Sequence, residues 1–144
     1  MSVDVEVLTE VTAEVLDAFG RLLPQLSTSA AALDAAALAA IVAAPASTVL
    51  LARVDGRIVG TLTLVMFPIP TGKRAWIEDV VTDEAVRGQG VGTALTLEAI
   101  RLAREGGCRT VDLTTRPARE AAGRLYESLG FERRNSRVYR YPAS

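Results

Sequence analysis

The chain has 144 residues, of which 49% are apolar and 23% are charged, and its formal net charge is −1. These values are typical of one folded domain and exclude a disordered chain. Its 16 basic residues are spread along the chain, so we expect no nucleic-acid partner. The absence of histidine excludes a Ser-His-Asp or Cys-His nucleophile and any histidine-ligated metal site, and we expect no bound metal.

The sequence favours a soluble, cytoplasmic protein with no membrane partner. Acidic Asp4 and Glu6 stand where a signal peptide would carry positive charge. The most apolar later stretch, from Ala30 to Ala44, is too short and too alanine-rich to span a bilayer. The single cysteine, Cys108, excludes an intrachain disulfide and fits a reducing compartment.

The first half of the chain predicts one strand, two helices and three strands. Val3, Val5 and Val7 alternate with acidic residues, which is the period of a half-buried strand. A helix is predicted after Thr12, ending near Pro24, and an alanine-rich helix over residues 29–43. Asp55-Gly56 is a two-residue hairpin signal between strands at 48–53 and 57–67. After a turn from Pro68 to Gly72, a further strand is predicted at 73–82.

The second half predicts a helix over 91–104, ended by Gly106-Gly107, and a strand at 110–114. Pro117 suits the first turn of another helix, which Gly130 closes, and strands follow at 131–132 and 137–141. The order is therefore β-α-α-β-β-β-α-β-α-β-β, in one α+β domain of residues 1–144. Its mixed sheet contains a parallel strand-helix-strand crossover.

A glycine-rich segment, Arg87-Gly88-Gln89-Gly90-Val91-Gly92, lies between a predicted strand and a predicted helix. Glycine lets the backbone turn tightly and bring consecutive amide N–H groups to one point. At a helix N-terminus, where partial positive charge also gathers, such amides bind phosphate or diphosphate without a side chain. Arg87 adds a permanent charge at the rim. We interpret the segment as a ligand-binding loop; the alternative is a tight strand-to-helix turn without a ligand.

The spacing separates this loop from two other glycine-rich nucleotide sites. It lacks the G-x-G-x-x-G order of dinucleotide-binding folds, and three strands predicted to be antiparallel precede it. It also lacks the Gly-Lys-Ser/Thr sequence of a P-loop.

The pattern Arg87-x-x-Gly90-x-Gly92 resembles the acyl-CoA signature of the GNAT superfamily of N-acetyltransferases. The similarity extends from Val3 to Tyr141, with little signal in the N-terminal third. It is strongest from Trp76 to Leu95, followed by Leu125-Tyr126-Glu127-Ser128-Leu129-Gly130-Phe131. Ile77-Glu78-Asp79-Val80 is similar to the glucosamine-6-phosphate N-acetyltransferase branch.

The resemblance implies the GNAT acyl-CoA N-acyltransferase fold, in which the fourth and fifth strands splay apart and acyl-CoA lies in the gap. It implies acetyl-CoA as cofactor, with its pantetheine arm along the backbone around Val80 and Thr82 and its diphosphate on the amides of the loop. The cofactor-binding residues implied are Val80, Val81, Thr82, Arg87, Gly88, Gln89, Gly90, Val91, Gly92, Thr93, Arg119 and Tyr126.

The resemblance also implies direct acetyl transfer to a primary amine in a ternary complex. The backbone N–H of Val80, on a β-bulge, would polarise the thioester carbonyl. Tyr126 matches the tyrosine that protonates the leaving thiolate; the alternative is that it only packs. Glu78 precedes Val80 by two positions, so both side chains are expected on one sheet face. Glu78 is a candidate base, directly or through water; the alternative is a strand carboxylate paired with an arginine.

Four neighbouring residues have less specific predictions. Asp79 is expected on the opposite face with a structural role, and Trp76 is expected in the core rather than in an acceptor pocket. Arg119 stands where many family members carry a cofactor-contacting asparagine, and would either contact a CoA phosphate or be solvated. Cys108 is expected to be small and partly buried rather than a reactive thiol.

Two classes of function remain open from the sequence: an enzyme, and a non-catalytic acyl-CoA-binding regulatory module of the same fold. The acceptor would be a small-molecule or peptide amine, and fold-level analogy does not choose among them. The glucosamine-6-phosphate branch pairs its subunits through C-terminal strands. The resemblance therefore implies a homodimer through residues 137–141.

Overall fold

The computed structural model describes residues 2–116 and 119–144, so the predicted helix start at Pro117 lies outside the described residues. The chain divides into two compact units, Met1–Thr114 and Thr115–Ser144. None of the helices in the described ranges is long and apolar enough to cross a membrane. The first unit contains β1 (Asp4–Val7), α1 (Ala13–Leu26), α2 (Ala35–Ala43), β2 (Ser47–Val54), β3 (Arg57–Ile69), β4 (Gly72–Thr82), a 3₁₀ turn (Glu84–Val86), α3 (Val91–Glu105) and β5 (Thr110–Asp112). The second unit contains α4 (Glu120–Ser128).

The five strands form one sheet in the order β1-β2-β3-β4-β5. The first three pairs are antiparallel, and β5 is parallel to β4. Asp55 and Gly56, with φ of 50° and 80°, form the predicted hairpin turn, since a type I′ turn requires positive φ at both central residues. The mixed sheet, the α+β class and the parallel crossover are confirmed.

Helices cover both faces of this sheet, which explains why Val49–Ala52 of β2 are all buried. On one face, Val49 and Leu51 belong to a core cluster with residues of α1 and α2. On the other face, α3 approaches β3 at Gly60, where an added Cβ would lie 2.9 Å from Val91 Cγ1. Glycine at this position therefore allows the helix to approach the sheet closely.

One predicted helix boundary was wrong. Helix α1 ends at Leu26, two residues beyond Pro24 and close to its predicted end; a proline in the last turn removes one hydrogen bond without ending the helix. Helix α2 begins at Ala35, not near residue 29, because Asp34 Oδ1 accepts a hydrogen bond from the Ala37 amide at 2.7 Å and caps the helix there. The predicted left-handed cap after α3 is confirmed, since Gly107 has φ of 77°.

The strands predicted at 131–132 and 137–141 were also wrong, since residues 131–144 form no strand. Val138, Tyr139 and Tyr141 are 72%, 88% and 90% exposed. Alternating side chains indicate which residues a core would bury, but a strand also needs a partner for its backbone N–H and C=O groups. The observed order therefore lacks the last two predicted strands, and the fifth strand ends at Asp112 rather than residue 114.

Candidate active site

The parallel strands β4 and β5 pair only near the start of β4. Arg74–Trp76 is in register with Thr110–Asp112, whereas β4 continues to Thr82 and its pairing with β3 extends to that residue. From Ile77 to Thr82, the β5-facing edge of β4 is therefore outside the paired region. This arrangement confirms the predicted splay, and it leaves backbone groups available to an extended ligand.

The splayed part of β4 contains a β-bulge. Thr63 pairs with Glu78 and Thr61 pairs with Val81, so Asp79 and Val80 together oppose one residue of β3. Asp79 has φ of 50°, a left-handed conformation that aspartate tolerates better than most residues. The bulge predicted at Val80 is confirmed, and bulges re-aim backbone groups beside active sites.

The bulge changes which residues share a face of the sheet. Thr61 and Thr63 are two positions apart and face the same way, so their partners Val81 and Glu78 share that face. The prediction that Glu78 and Val80 share a face was wrong, because it assumed unbroken alternation along β4.

A cavity of about 130 Å³ lies between α1, α2 and this face of the sheet. Asp79 is among the residues that line this cavity. Most of the lining side chains are apolar, and the lining residues are Phe19, Leu23, Leu33, Leu38, Ile41, Val49, Thr61, Thr63 and Asp79.

Glu78 is exposed and accepts a hydrogen bond from the indole Nε1 of Trp76 at 2.7 Å. Its partner is therefore an indole, rather than the arginine of the alternative prediction. Trp76 is half-buried and outside the core to which it was assigned. The pair leaves the Glu78 carboxylate accessible beside the bulge.

The glycine-rich loop is exposed from Arg87 to Gly90. Gly88 and Gly90 have φ of 81° and 84°, and among the described residues no atom lies within 4 Å of a Cβ added to either. Glycine is therefore required by backbone conformation and not by protein packing. The Arg87 side chain is 59% exposed and lies 3.9 Å from Glu84, a distance that leaves it available to an anion.

Helix α3 begins without a side-chain cap. Its N-cap is Gly90, and the Gly90 carbonyl accepts the amide of Ala94 at 3.0 Å. Within residues 2–116 and 119–144, no protein acceptor is found for the amides from Gly88 to Thr93. These donors converge at a helix N-terminus under open space, which fits an anionic group such as a diphosphate.

The C-terminal unit contains Tyr126 and Arg119. The Tyr126 ring meets Phe131 edge to face, with ring centroids 5.6 Å apart. Burial raises the pKa of the Tyr126 phenol, and the positive charge of Arg119 lowers it by a smaller amount. Tyr126 is therefore protonated at neutral pH and able to donate a proton.

Sequence reasoning missed two residues beside the loop. Arg21 and Gln25 of α1 contact Asp83 and the backbone of Glu84, from which they are separated by 62 and 59 positions. No spacing signal connects residues so far apart, so only the fold identifies them. Cys108 is partly buried, as predicted.

The profile of the acetyltransferase (GNAT) family matches residues 13–131. The chain is 43% identical over 79 residues to glucosamine 6-phosphate N-acetyltransferase from Trypanosoma brucei brucei, a match covering 53% of this chain and 52% of that protein. It is 39% identical over 69 residues to N-alpha-acetyltransferase 30 from Xenopus laevis, covering 48% of this chain and 25% of that protein. The chain thus spans about half or less of the length of these relatives.

Among solved structures, the chain is similar to a Trypanosoma brucei acetyltransferase, with a TM-score of 0.78 and 29% identity. That similarity covers 97% of this chain and 99% of the other.

Proposed function

The chain belongs to the acetyltransferase (GNAT) family, and from this premise we propose that it is an acetyl-CoA-dependent N-acetyltransferase acting on a primary amine. One observation carries the proposal: a splayed, bulged strand is followed, after a 3₁₀ turn and the glycine-rich loop, by an uncapped helix start whose amides have no acceptor among the described residues. A structural turn needs the glycines but does not need the exposed donors or the open strand edge. The combination fits a ligand with an extended arm and a diphosphate.

The cofactor would supply a thioester whose acetyl carbon the amine nitrogen attacks, forming a C–N bond and breaking the C–S bond. The amides from Gly88 to Thr93, with Arg87 at their rim, would bind the diphosphate. Backbone groups of Val80, Val81 and Thr82 would pair with the pantetheine arm. The Val80 N–H would donate to the thioester carbonyl oxygen as charge develops on it, and the bulge supports that orientation.

Two protons move in this reaction, and two side chains are proposed to handle them. Tyr126 would donate its phenol proton to the departing thiolate, and its protonated state at neutral pH supports the role. Glu78 would accept the proton that the attacking amine loses, directly or through water. Arg119 would contact a CoA phosphate.

The acceptor is proposed only as a primary amine of a small molecule or a peptide. The two relatives described above are named glucosamine 6-phosphate N-acetyltransferase and N-alpha-acetyltransferase 30, so one name gives an amino-sugar phosphate and the other an alpha-amino group. Fold similarity does not choose between them.

The experiment that tests the function measures thiol release from acetyl-CoA against a panel of amines. The panel contains amino sugars, amino-sugar phosphates, polyamines, amino acids and peptides with free N-termini. We expect release with at least one amine and coenzyme A binding by calorimetry. Coenzyme A binding without release from any amine would instead favour the alternative, a non-catalytic acyl-CoA-binding regulatory module of the same fold. No coenzyme A binding would refute both.

We further propose that the two units form one acetyltransferase domain, because the family match spans both. A cytoplasmic homodimer is also proposed. The exposed apolar side chains of residues 138–141 support the dimer, because a segment without a backbone partner can gain one from a second subunit. A sedimentation experiment that shows a monomer at micromolar concentration would contradict the proposed homodimer.

A further inference from the structure

We propose that Arg21 and Gln25 of α1 are positioning residues for the diphosphate loop, an inference that rests on the proposed function. They contact the start of the segment 83–86, which leads directly into the loop at Arg87. In the part of the chain that the structure describes, no atom lies within 4 Å of a Cβ added to Gly88 or Gly90 of the loop. Its position therefore depends on what anchors its two ends.

The first contact is made by the Arg21 guanidinium. Its Nη1 lies 3.4 Å from Asp83 Oδ2, and its Nη2 donates to the Ile58 carbonyl at 3.3 Å. Asp83 is only 14% exposed at its side chain, so this ion pair is partly shielded from solvent. Arg21 thereby connects α1, the start of β3 and the residue that follows β4.

The second contact is made by the Gln25 carboxamide. Its Oε1 accepts the Glu84 amide at 2.9 Å, and its Nε2 donates to the Arg21 carbonyl at 3.2 Å. Both ends of the carboxamide are engaged, which fixes its orientation. Gln25 therefore supplies a cap from a distant helix to the first residue of the 3₁₀ turn.

Asp83 completes the arrangement from within the segment. Its Oδ1 accepts the Ala85 amide at 3.1 Å, and its own amide donates to the Val59 carbonyl at 2.8 Å. Side chains thus satisfy the amides of Glu84 and Ala85, whereas those from Gly88 to Thr93 have no acceptor within the described residues. These contacts fix segment 83–86 in place while the amides of the loop stay free. The loop is thereby preorganised for an anion, so less conformational entropy is lost when the anion binds.

The chain offers a matched control at the other end of α1. Arg53 of β2 pairs with Glu14 near the start of α1 at 3.0 Å, so it also joins α1 to the sheet. Arg53 makes no contact with the loop or with segment 83–86 among the bonds found in the described residues. A general loss of α1 docking would therefore appear in both arginine variants, whereas a loss of loop positioning would appear only at Arg21.

The test compares Arg21→Met, Gln25→Met and Arg53→Met, using two thioesters: acetyl-CoA and acetyl-pantetheine, which lacks the diphosphate. For Arg21→Met and Gln25→Met we expect the coenzyme A Kd and the acetyl-CoA KM to rise about 3- to 10-fold, with kcat within about twofold. Their kcat/KM for acetyl-pantetheine should not change, and Arg53→Met should leave both substrates unaffected. Thermal unfolding checks that each variant folds. If Arg21→Met fails to fold, the comparison is made with Gln25→Met alone.

Three results would overturn the inference. Unchanged coenzyme A affinity in the folded Gln25→Met variant would show that the contact positions nothing. Equal losses with both thioesters would indicate a general structural role for α1. A wild-type protein that does not bind coenzyme A would refute the proposed function itself, and that result is seen before any variant is made.

Discussion

Helices α1 and α2 begin differently from helix α3. Thr12 Oγ1 accepts the Val15 amide at 3.2 Å at the start of α1, and Asp34 performs the same task for α2. The start of α3 has a left-handed glycine and no side-chain cap. In α1 and α2 a side chain accepts a hydrogen bond from a backbone amide of the first turn and stabilises the helix, whereas in α3 no side chain caps the first-turn amides.

The difference costs little free energy, because a glycine N-cap is typically only about a few tenths of a kcal/mol less stabilising than a threonine or aspartate N-cap. Helix α3 tolerates the missing cap because its buried face, including Val91, Leu95 and Ala99, packs against the sheet. An uncapped start on a well-packed helix therefore leaves first-turn amides without a partner at little cost in stability, and four changes test this comparison.

The largest effect is expected from Tyr126→Phe, which separates binding from chemistry. If the start of α3 only binds the cofactor, removal of a proton donor elsewhere should lower kcat by about 100-fold and leave coenzyme A affinity unchanged. The matched control is Tyr139→Phe, an exposed tyrosine that should have no effect. Steady-state kinetics with an active amine and calorimetry provide both readouts. Unchanged turnover would remove the acid role.

The pH dependence of kcat in the wild-type protein also tests the acid role proposed for Tyr126. Because burial raises the pKa of Tyr126, the folded state holds this proton more tightly than the unfolded chain. The acid form should therefore persist above the ordinary range for tyrosine, with kcat falling only beyond it. The contribution of Tyr126 protonation to the free energy of unfolding is fully present below the pKa of this tyrosine in the unfolded chain. It is lost as the pH rises through its pKa in the folded protein.

The second effect is expected from Gly90→Val at the start of α3. A β-branched residue at φ of 84° is strained, and its side chain would occupy the space where the diphosphate is proposed to lie. We expect coenzyme A affinity to fall about 30-fold and stability to fall by about 1–2 kcal/mol. Gly107→Val, at φ of 77° and equally open space beyond the other end of α3, should lose similar stability without losing affinity. Equal affinity losses would break the comparison.

A smaller effect is expected from Arg87→Met. Removal of one exposed charge beside the diphosphate should weaken coenzyme A binding about 5-fold at low salt, and the difference should shrink as ionic strength rises. Arg101→Met, on the exposed surface of α3, serves as control because Arg101 pairs with Glu98 and Glu105. Salt-independent losses would argue against a charge contribution.

The smallest effect on binding is expected from Asp34→Ala, which removes the cap of α2. Stability should fall by about 1 kcal/mol, measured by urea unfolding, with no change in coenzyme A affinity. Weaker coenzyme A binding in this variant would show that capped and uncapped helix starts are not independent.

The sequence predicted correctly those parts of the fold that depend on the conformational preferences of a few neighbouring residues. The Asp55-Gly56 turn, the left-handed glycine after α3 and the glycine-rich helix start follow from conformations that few residues adopt. The bulge at Val80 was inferred from the family resemblance, and the register of β3 and β4 confirmed it. The prediction that Glu78 and Val80 share a face missed the consequence of this bulge, because a bulge interrupts the regular alternation of side chains along a strand.

The sequence by itself determined which segments become helices and strands in the first unit and where the glycine-rich loop lies. These features depend on neighbouring residues, whose spacing is visible in the chain. Only the tertiary structure decided that Glu78 shares its face with Val81, that residues 137–141 form no strand, and that Arg21 and Gln25 contact the segment before the loop. Each depends on pairing or contact between distant segments, and the free energy of such contacts is set by the folded geometry rather than by local sequence.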